Sequence, residues 1–84
     1  MIKFMPIVAT LTHKNELQTS NNGSEYMKIS IAVDDVYYWC TIFGATAKYI
    51  NNYGKVGKKL FLKDWKFKKN DSGYDIIITS LEIL

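Results

Sequence analysis

Two alternating segments joined by a two-aspartate turn strongly restrict the folds open to this 84-residue chain. In segment 26–33 apolar residues occupy every second position, and segment 37–43 divides at alternate positions into a set with three large rings and a set that contains Cys40 and Ile42. Because successive side chains of a β-strand point to opposite faces, this period predicts two strands. Asp34-Asp35 suits a short turn between them, so we expect a β-hairpin. The predicted interior face of its first strand is Met27, Ile29, Ile31 and Val33.

The second strand of this hairpin carries large rings on the face that does not suit the interior. Its predicted interior face is Tyr38, Cys40 and Ile42. Its opposite face is Tyr37, Trp39, Thr41 and Phe43. A folded protein rarely exposes such an apolar row without a use for it. In a lysine-rich chain, a row of rings suits the stacking of nucleic-acid bases.

Three further strands and one short helix are predicted from the rest of the chain. The strands are segments 1–11, 60–67 and 74–84, and the helix is segment 45–53. Pro6 confines the start of the first strand to an edge or a bulge, because proline cannot donate a ladder hydrogen bond. Polar segment 12–25 is predicted as a loop. Gly54 and Gly57 are expected to end the helix.

The fourth predicted strand leaves two arrangements open. Strict alternation from Leu60 and Leu62 would bury Asp64 and Lys66, and burying unpaired charges is costly. A β-bulge near Lys63-Asp64 would instead turn Trp65 and Phe67 inward. The sequence does not decide between these arrangements.

The order of elements, β-β-β-α-β-β, predicts the fold class. Five short strands with a helix between the third and fourth are typical of an all-β, five-stranded Greek-key barrel of the oligonucleotide/oligosaccharide-binding (OB) type. We expect residues 1–84 to form one such domain. Further core residues are predicted from the apolar spacing: Ala47, Ile50, Leu60, Leu62, Ile76, Ile78, Leu81 and Ile83.

Charge and composition narrow the function classes. The net charge is +3, all eleven basic residues are lysines, and seven of these fall between Lys55 and Lys69. One cysteine, Cys40, and one histidine, His13, make a metal site improbable, and the scattered carboxylates suggest no acid–base pair. We expect a non-enzyme that has no metal, cofactor or small-molecule substrate. No apolar run is long enough to span a membrane and no signal peptide is visible, so we expect a cytoplasmic protein.

Several segments resemble one protein family in their order and spacing. They are Val8-Ala9-Thr10-Leu11 with Glu16-Leu17, Lys28–Val33, Ile42-Phe43-Gly44 with Ala47, Tyr53 and Gly57, and Tyr74–Leu84. The spacing from Phe43 to Gly57 agrees without a gap with the family pattern F-G-x-x-A … Y-x-x-K-G. Together these segments resemble the bacterial and phage single-stranded DNA-binding protein family, over nearly the whole chain.

The resemblance implies roles for individual rings. Phe43 matches a phenylalanine that stacks on a base, and Tyr37 falls where the family usually has a stacking tryptophan. Trp39 lies on the same face, where the family often has a basic residue. Phe67, or alternatively Trp65, lies near the family's third aromatic residue. The residues themselves leave other roles open. Phe43 could pack in the core, Trp39 could lie in a dimer interface, and Trp65 could lie either in the core or on the surface.

The sequence departs from the family in two places. The long arm between the second and third strands is reduced to Asp34-Asp35-Val36, and residues 1–84 contain no counterpart of the acidic tail by which the family recruits partner proteins, so we expect a tailless form. In both respects the chain also resembles the primosomal replication proteins of the same fold, and a compact phage or mobile-element form fits as well.

These observations predict a sequence-independent single-stranded DNA-binding protein acting in DNA replication, recombination or repair. Lysines on neighbouring elements are expected to contact phosphates: Lys28, Lys48, Lys63, Lys66, Lys68 and Lys69. They are equally compatible with a solvated face. The family resemblance implies a homo-oligomer, dimer or tetramer, formed through the first strand. The alternative is a primosome-like protein-interaction module whose aromatic face binds a protein partner or mediates oligomerisation.

Overall fold

The computed structural model describes residues 7–71 and 73–84, which form six β-strands and one α-helix. In chain order the elements are β1 (Ile7–Lys14), β2 (Gln18–Thr19), β3 (Glu25–Val33), β4 (Val36–Phe43), α1 (Gly44–Tyr53), β5 (Lys59–Asn70) and β6 (Gly73–Ile83). The predicted helix and the last four predicted strands are confirmed, with small shifts in their bounds. The first half of the first predicted strand, with Pro6, lies outside the described residues.

Five of the strands close into a barrel. Antiparallel pairs join β1 to β5, β5 to β6, β4 to β3 and β3 back to β1, and a parallel contact joins β6 to β4. The remaining strand, β2, is a two-residue extension paired with β3. Helix α1 comes between β4 and β5, the third and fourth strands of the barrel. The predicted all-β OB barrel is therefore confirmed.

The β3–β4 hairpin has the predicted two-residue turn. Val33 pairs with Val36, and Asp34 and Asp35 between them have φ angles of 50° and 65°. Positive φ at both central residues is the mark of the mirror-image turn whose twist matches the flanking strands. The register set by this turn continues to the pairing of Tyr26 with Phe43.

The core lies inside the barrel and under α1. Ten of the predicted interior residues are buried there with the two predicted helix residues: Met27, Ile29, Ile31, Cys40, Ile42, Ala47, Ile50, Leu60, Leu62, Ile76, Ile78 and Leu81. Val33 and Ile83 are partly buried against them. Strand β1 adds Ala9 and Leu11. Alternation therefore predicted the inner face of the β3–β4 hairpin except at Tyr38, which is 38% exposed, so its predicted interior position is wrong.

Helix α1 is held at its C-terminus by a lysine from β1. Lys14 Nζ donates to the carbonyl oxygens of Gly54, at 2.7 Å, and Asn51, at 3.4 Å, which have no acceptor role inside the helix. Gly54 ends the helix as predicted, but in extended backbone. A Cβ atom there would lie 2.8 Å from the Ile50 carbonyl oxygen, so close approach explains the glycine. Within the described part of the chain, no helix is long and apolar enough to cross a membrane.

The loop predicted at 12–25 is partly wrong. Strand β1 continues to Lys14 through a register shift between Leu11 and His13, and β2 forms where Gln18 pairs with Tyr26. These polar residues are held in strands by pairing with β3, which local composition does not reveal.

A bulge resolves the two arrangements of the fourth predicted strand. The β5–β6 register shifts on both sides of Asp64, and Trp65 then packs against the core opposite Ile78. Asp64 stays outside, where its carboxylate accepts a 2.8 Å hydrogen bond from the Thr79 hydroxyl. The bulge therefore keeps the charge in solvent and turns the tryptophan inward.

Candidate nucleic-acid interface

The outer face of the β3–β4 hairpin carries the predicted row of rings. Its cross-strand pairs are Tyr26 with Phe43, Lys28 with Thr41, Ser30 with Trp39 and Ala32 with Tyr37. The exposed fractions of Tyr37, Trp39 and Phe43 are 72%, 53% and 48%. Their neighbours Cys40 and Ile42 are fully buried, so the hairpin is fixed from inside while its rings face outward. We call this surface the aromatic face.

Two rings that the sequence analysis did not assign also belong to the aromatic face. Tyr26 lies beside Phe43, with ring centroids 6.4 Å apart, and His13 lies beside Trp39, at 6.2 Å. The outward position of Tyr26 followed from the alternation of its strand. His13 lies in the segment predicted as a loop, so the sequence did not indicate a place for it on a strand face.

A polar cluster separates these two pairs of rings. Thr41 is outward in register yet only 4% exposed, and its hydroxyl donates to Asp75 Oδ2 at 3.1 Å. The ammonium group of Lys28 lies 3.4 Å from the same oxygen, and the backbone N–H of Ile76 donates to Oδ1 at 3.1 Å. The positive charge of Lys28 is thus offset by Asp75 within the aromatic face.

The predicted phosphate-contacting lysines fall into two groups. Lys28 and two others have carboxylate partners, with Nζ to oxygen distances of 3.0 Å for Lys48 to Glu25 and 2.6 Å for Lys63 to Glu82. Among the described residues, Lys66 and Lys68 have no such partner. These two pair with Ile77 and Asp75 of β6, and Asp75 contacts β4. Lys66 and Lys68 on β5 therefore lie two strands away from the rings of β4, a distance of roughly 10 Å across the outer surface of the sheet.

Trp65 and Phe67 lie on the other side of β5. They pair with Ile78 and Ile76, which are core residues, and their rings meet edge to face with centroids 5.5 Å apart. Together with Tyr38 they line an apolar cavity of about 240 Å³. The structure does not bring these two rings together with Phe43. By alternation, Lys69 shares their side of the strand rather than that of Lys66 and Lys68.

The buried cysteine is chemically quiet. Burial, with a contribution from the Asp75 carboxylate, raises the pKa of the Cys40 thiol from 9.0 to about 12, so the nucleophilic thiolate does not form near neutral pH. The prediction of a small buried residue is confirmed. Within residues 7–71 and 73–84, no three His, Cys, Asp or Glu side chains are grouped so that they could hold a metal ion.

Fold and surface together define a class: an OB barrel with an exposed aromatic face beside two lysines that have no carboxylate partner within residues 7–71 and 73–84. No protein-family model and no curated protein matches the sequence. Solved structures do match the fold.

Three of these structures are informative. The SSB domain of a protein from Synechococcus sp. has a TM-score of 0.77 and 10% identity, covering 99% of this chain and 94% of that one. The second OB-fold domain of replication protein A from Methanococcus maripaludis has a TM-score of 0.72 and 16% identity, covering 94% and 81%. A murine DNA-binding protein bound to double-stranded DNA has a TM-score of 0.73 and 11% identity, covering 96% and 40%. At these identities the likeness shows the OB fold alone.

Proposed function

We propose that this protein binds single-stranded DNA without sequence preference and acts in DNA replication, recombination or repair. The observation that carries the proposal is the exposed row of Tyr37, Trp39 and Phe43 on one outer face of an OB barrel. Every base has a π-face, so stacking on rings tolerates any sequence and contributes about 1–3 kcal/mol per base. The names of two structural relatives, an SSB domain and a replication protein A domain, support the same role.

Lys66 and Lys68 are the proposed principal phosphate contacts. Among the described residues they have no carboxylate partner, so their charge is available to DNA. Lys28, Lys48 and Lys63 would first have to leave their carboxylates. Breaking an exposed ion pair costs only about 0–1 kcal/mol, so these lysines can exchange a carboxylate for a phosphate. The cost reduces what each of them contributes to DNA binding.

Stacking on a protein ring requires a base whose face is free. We therefore expect the protein to prefer single-stranded DNA to a duplex, in which the bases already stack on one another. Because one structural relative is bound to double-stranded DNA, a duplex is the necessary comparison. The test is a titration of the protein with oligo-dT and with a duplex of equal length, followed by Trp fluorescence at several salt concentrations. Trp39 is half exposed on the aromatic face and is the expected reporter.

We expect oligo-dT to quench the fluorescence at low salt and the affinity to fall as salt rises, because bound lysines release counterions. The duplex should bind more weakly. Absence of quenching at low salt, or quenching that is indifferent to salt, would contradict the proposal. In that case the alternative, a protein-interaction module using the same face, becomes the better interpretation.

We also propose that the protein forms a homo-oligomer through β1. In β1, residues Ile7–Thr10 pair with β5 and residues Thr10–Lys14 pair with β3. The first half of β1 therefore has an edge without a described partner on the side away from β5, and Val8 there is 53% exposed. Such an edge can pair with a second copy. The mass in solution, measured with and without oligo-dT, tests this directly, and a monomer in both conditions would contradict it.

A further inference from the structure

We propose that the aromatic face contains two separate base-stacking platforms, Tyr26 with Phe43 and His13 with Trp39, that take two different bases of one strand. The inference rests on the proposed function and adds two binding residues, Tyr26 and His13. It also specifies the ligand: a single strand in which at least one nucleotide lies between the two stacked bases.

The first platform is supported from β2. Tyr26 and Phe43 are direct cross-strand partners, and their rings are tilted by 44° at a centroid distance of 6.4 Å. The Tyr26 hydroxyl donates to Gln18 Oε1 at 2.8 Å, so the short strand β2 holds this ring in place. A ring fixed before binding loses little rotamer entropy when a base stacks on it or its neighbour.

The second platform exists because β1 is irregular. Leu11 is buried, so strict alternation would place Thr12 outside and His13 inside. The register shift between Leu11 and His13 instead places His13 opposite Ser30, the partner of Trp39. Such shifts commonly redirect a side chain at a functional surface. His13 is exposed, and its ring is tilted by 35° to that of Trp39.

Distance keeps the two platforms independent. Phe43 and Trp39 are four residues apart on one strand, or about 13 Å at the rise of a β-strand. Stacked nucleotides rise by only roughly 3.4 Å each, so one base cannot reach both platforms and neighbouring stacked bases cannot either. Thr41 lies between them, is almost fully buried and is bonded to Asp75, so it offers no third ring. The nucleotide between the platforms therefore crosses a polar, charge-compensated surface.

Double-mutant cycles test this arrangement. The variants are Phe43→Ala, His13→Ala, Trp39→Ala and their pairwise combinations, and the readout is the anisotropy of a labelled oligo-dT, which does not depend on protein tryptophans. We expect His13→Ala to weaken binding at least about fivefold. Its effect should overlap with that of Trp39→Ala, because the two rings form one platform, and should multiply with that of Phe43→Ala, because distant sites act independently. His13→Phe should restore most of the affinity, since it keeps a ring.

Each outcome has one meaning. If the unmodified protein does not bind oligo-dT, the proposed function fails and the platforms fail with it. If it binds and Phe43→Ala weakens binding while His13→Ala does not, only the second platform is wrong. If His13→Phe is as weak as His13→Ala, stacking by this ring is contradicted. Unchanged circular dichroism and thermal midpoints identify the variants whose effects are on binding rather than on folding.

A strand with two thymidines among abasic positions gives a second, independent test. Adjacent thymidines should bind more weakly than thymidines separated by one to three abasic positions, because only the separated pair can occupy both platforms. Equal affinity at every separation would overturn the two-platform arrangement without affecting the proposed function.

Discussion

At the scale of single residues, neighbouring positions of β4 have opposite environments. Ile42 is fully buried in the core, whereas Phe43 is 48% exposed although it is as apolar. Phe43 is neither in the core cluster nor among the partly buried residues packed against it. The ring is therefore available for a ligand.

We predict that Phe43→Ala weakens oligo-dT binding by about 1–3 kcal/mol, roughly 5- to 150-fold, through the loss of one stacking ring. The free energy of unfolding should change by less than about 1 kcal/mol, as for other surface substitutions. Fluorescence titration and urea unfolding measure the two quantities. Tyr53→Ala is the matched control, because this ring is 65% exposed on α1 outside the aromatic face. Equal affinities for Phe43→Ala and the unmodified protein would contradict the assignment.

The Cys40 thiol predicts a pH dependence of stability. Its pKa is about 12 when folded and ordinarily 9.0, so the unfolded chain loses this proton first as the pH rises. The stabilisation is complete below pH 9.0 and is lost progressively toward pH 12, with a slope of at most about 1.4 kcal/mol per pH unit. Cys40→Ala has no such proton to lose, and its stability should decline less steeply over this range.

Urea unfolding of both proteins at several alkaline pH values measures this difference. Lysine and tyrosine titrations are common to the two proteins and cancel in the comparison. Parallel declines in the free energy of unfolding would show that the Cys40 thiol does not contribute.

The sequence identified Tyr37, Trp39 and Phe43 because alternation along one strand needs no knowledge of the rest of the fold. It did not identify His13, whose position depends on an extra residue in β1. At Asp64 the charges that alternation would bury pointed to a bulge, but polar segment 12–14 carries no comparable signal for the one in β1.

At the scale of elements, the β5–β6 hairpin divides its side chains between two functions. Trp65 packs against the core and Phe67, on the same side but 47% exposed, lines the adjoining cavity, whereas Lys66 and Lys68 lie on the opposite side with Asp75. The bulge at Asp64 sets this division, since without it the lysines would face the core. The Asp64 carboxylate at the bulge accepts a hydrogen bond from Thr79, which lies on the following strand. Because this contact depends on how the two strands pair, the sequence left two arrangements open.

We predict that the double variant Lys66→Gln/Lys68→Gln lowers the salt dependence of binding. Each lost phosphate contact should reduce the slope of log affinity against log salt by about 0.7, so the pair should reduce it by roughly 1.4. The control is Lys55→Gln/Lys58→Gln, which removes the same charge from exposed positions after α1. Titrations with oligo-dT at four or more salt concentrations give the slopes. The same reduction in both double variants would mean that only the net charge matters.

The order of the strands along the chain and the position of the helix could be predicted because apolar segments are separated by turn residues and only segment 45–53 has helical spacing. Strand β2 could not be predicted, because its two polar residues adopt strand structure only by pairing with Tyr26 and Glu25. The extension of β1 to Lys14 could not be predicted for a similar reason. Lys14 donates a hydrogen bond to the Gly54 carbonyl oxygen at the end of α1, 40 residues away in the chain.

At the scale of the whole molecule, the barrel is closed unevenly. The β5–β6 pair extends over ten residue pairs, whereas β4 and β6 meet at only two, Cys40 with Ile76 and Thr41 with Ile77. This narrow contact lies under the polar cluster of the aromatic face, where Asp75 reaches Thr41. DNA bound across β4, β6 and β5 would therefore bridge the least extensively paired seam of the barrel and should stabilise the whole fold.

We therefore predict that oligo-dT raises the thermal midpoint of unfolding. A ligand that binds only the folded state at about 100 times its dissociation constant adds about 2.7 kcal/mol of stability. For a domain of this size, that corresponds to a shift of roughly 10 °C or more. Differential scanning calorimetry at low salt measures the shift, which should shrink at high salt, with Phe43→Ala, and with a duplex of equal length. A shift that is as large for the duplex as for oligo-dT would show that the protein contacts the backbone of either form rather than the exposed faces of single-stranded bases.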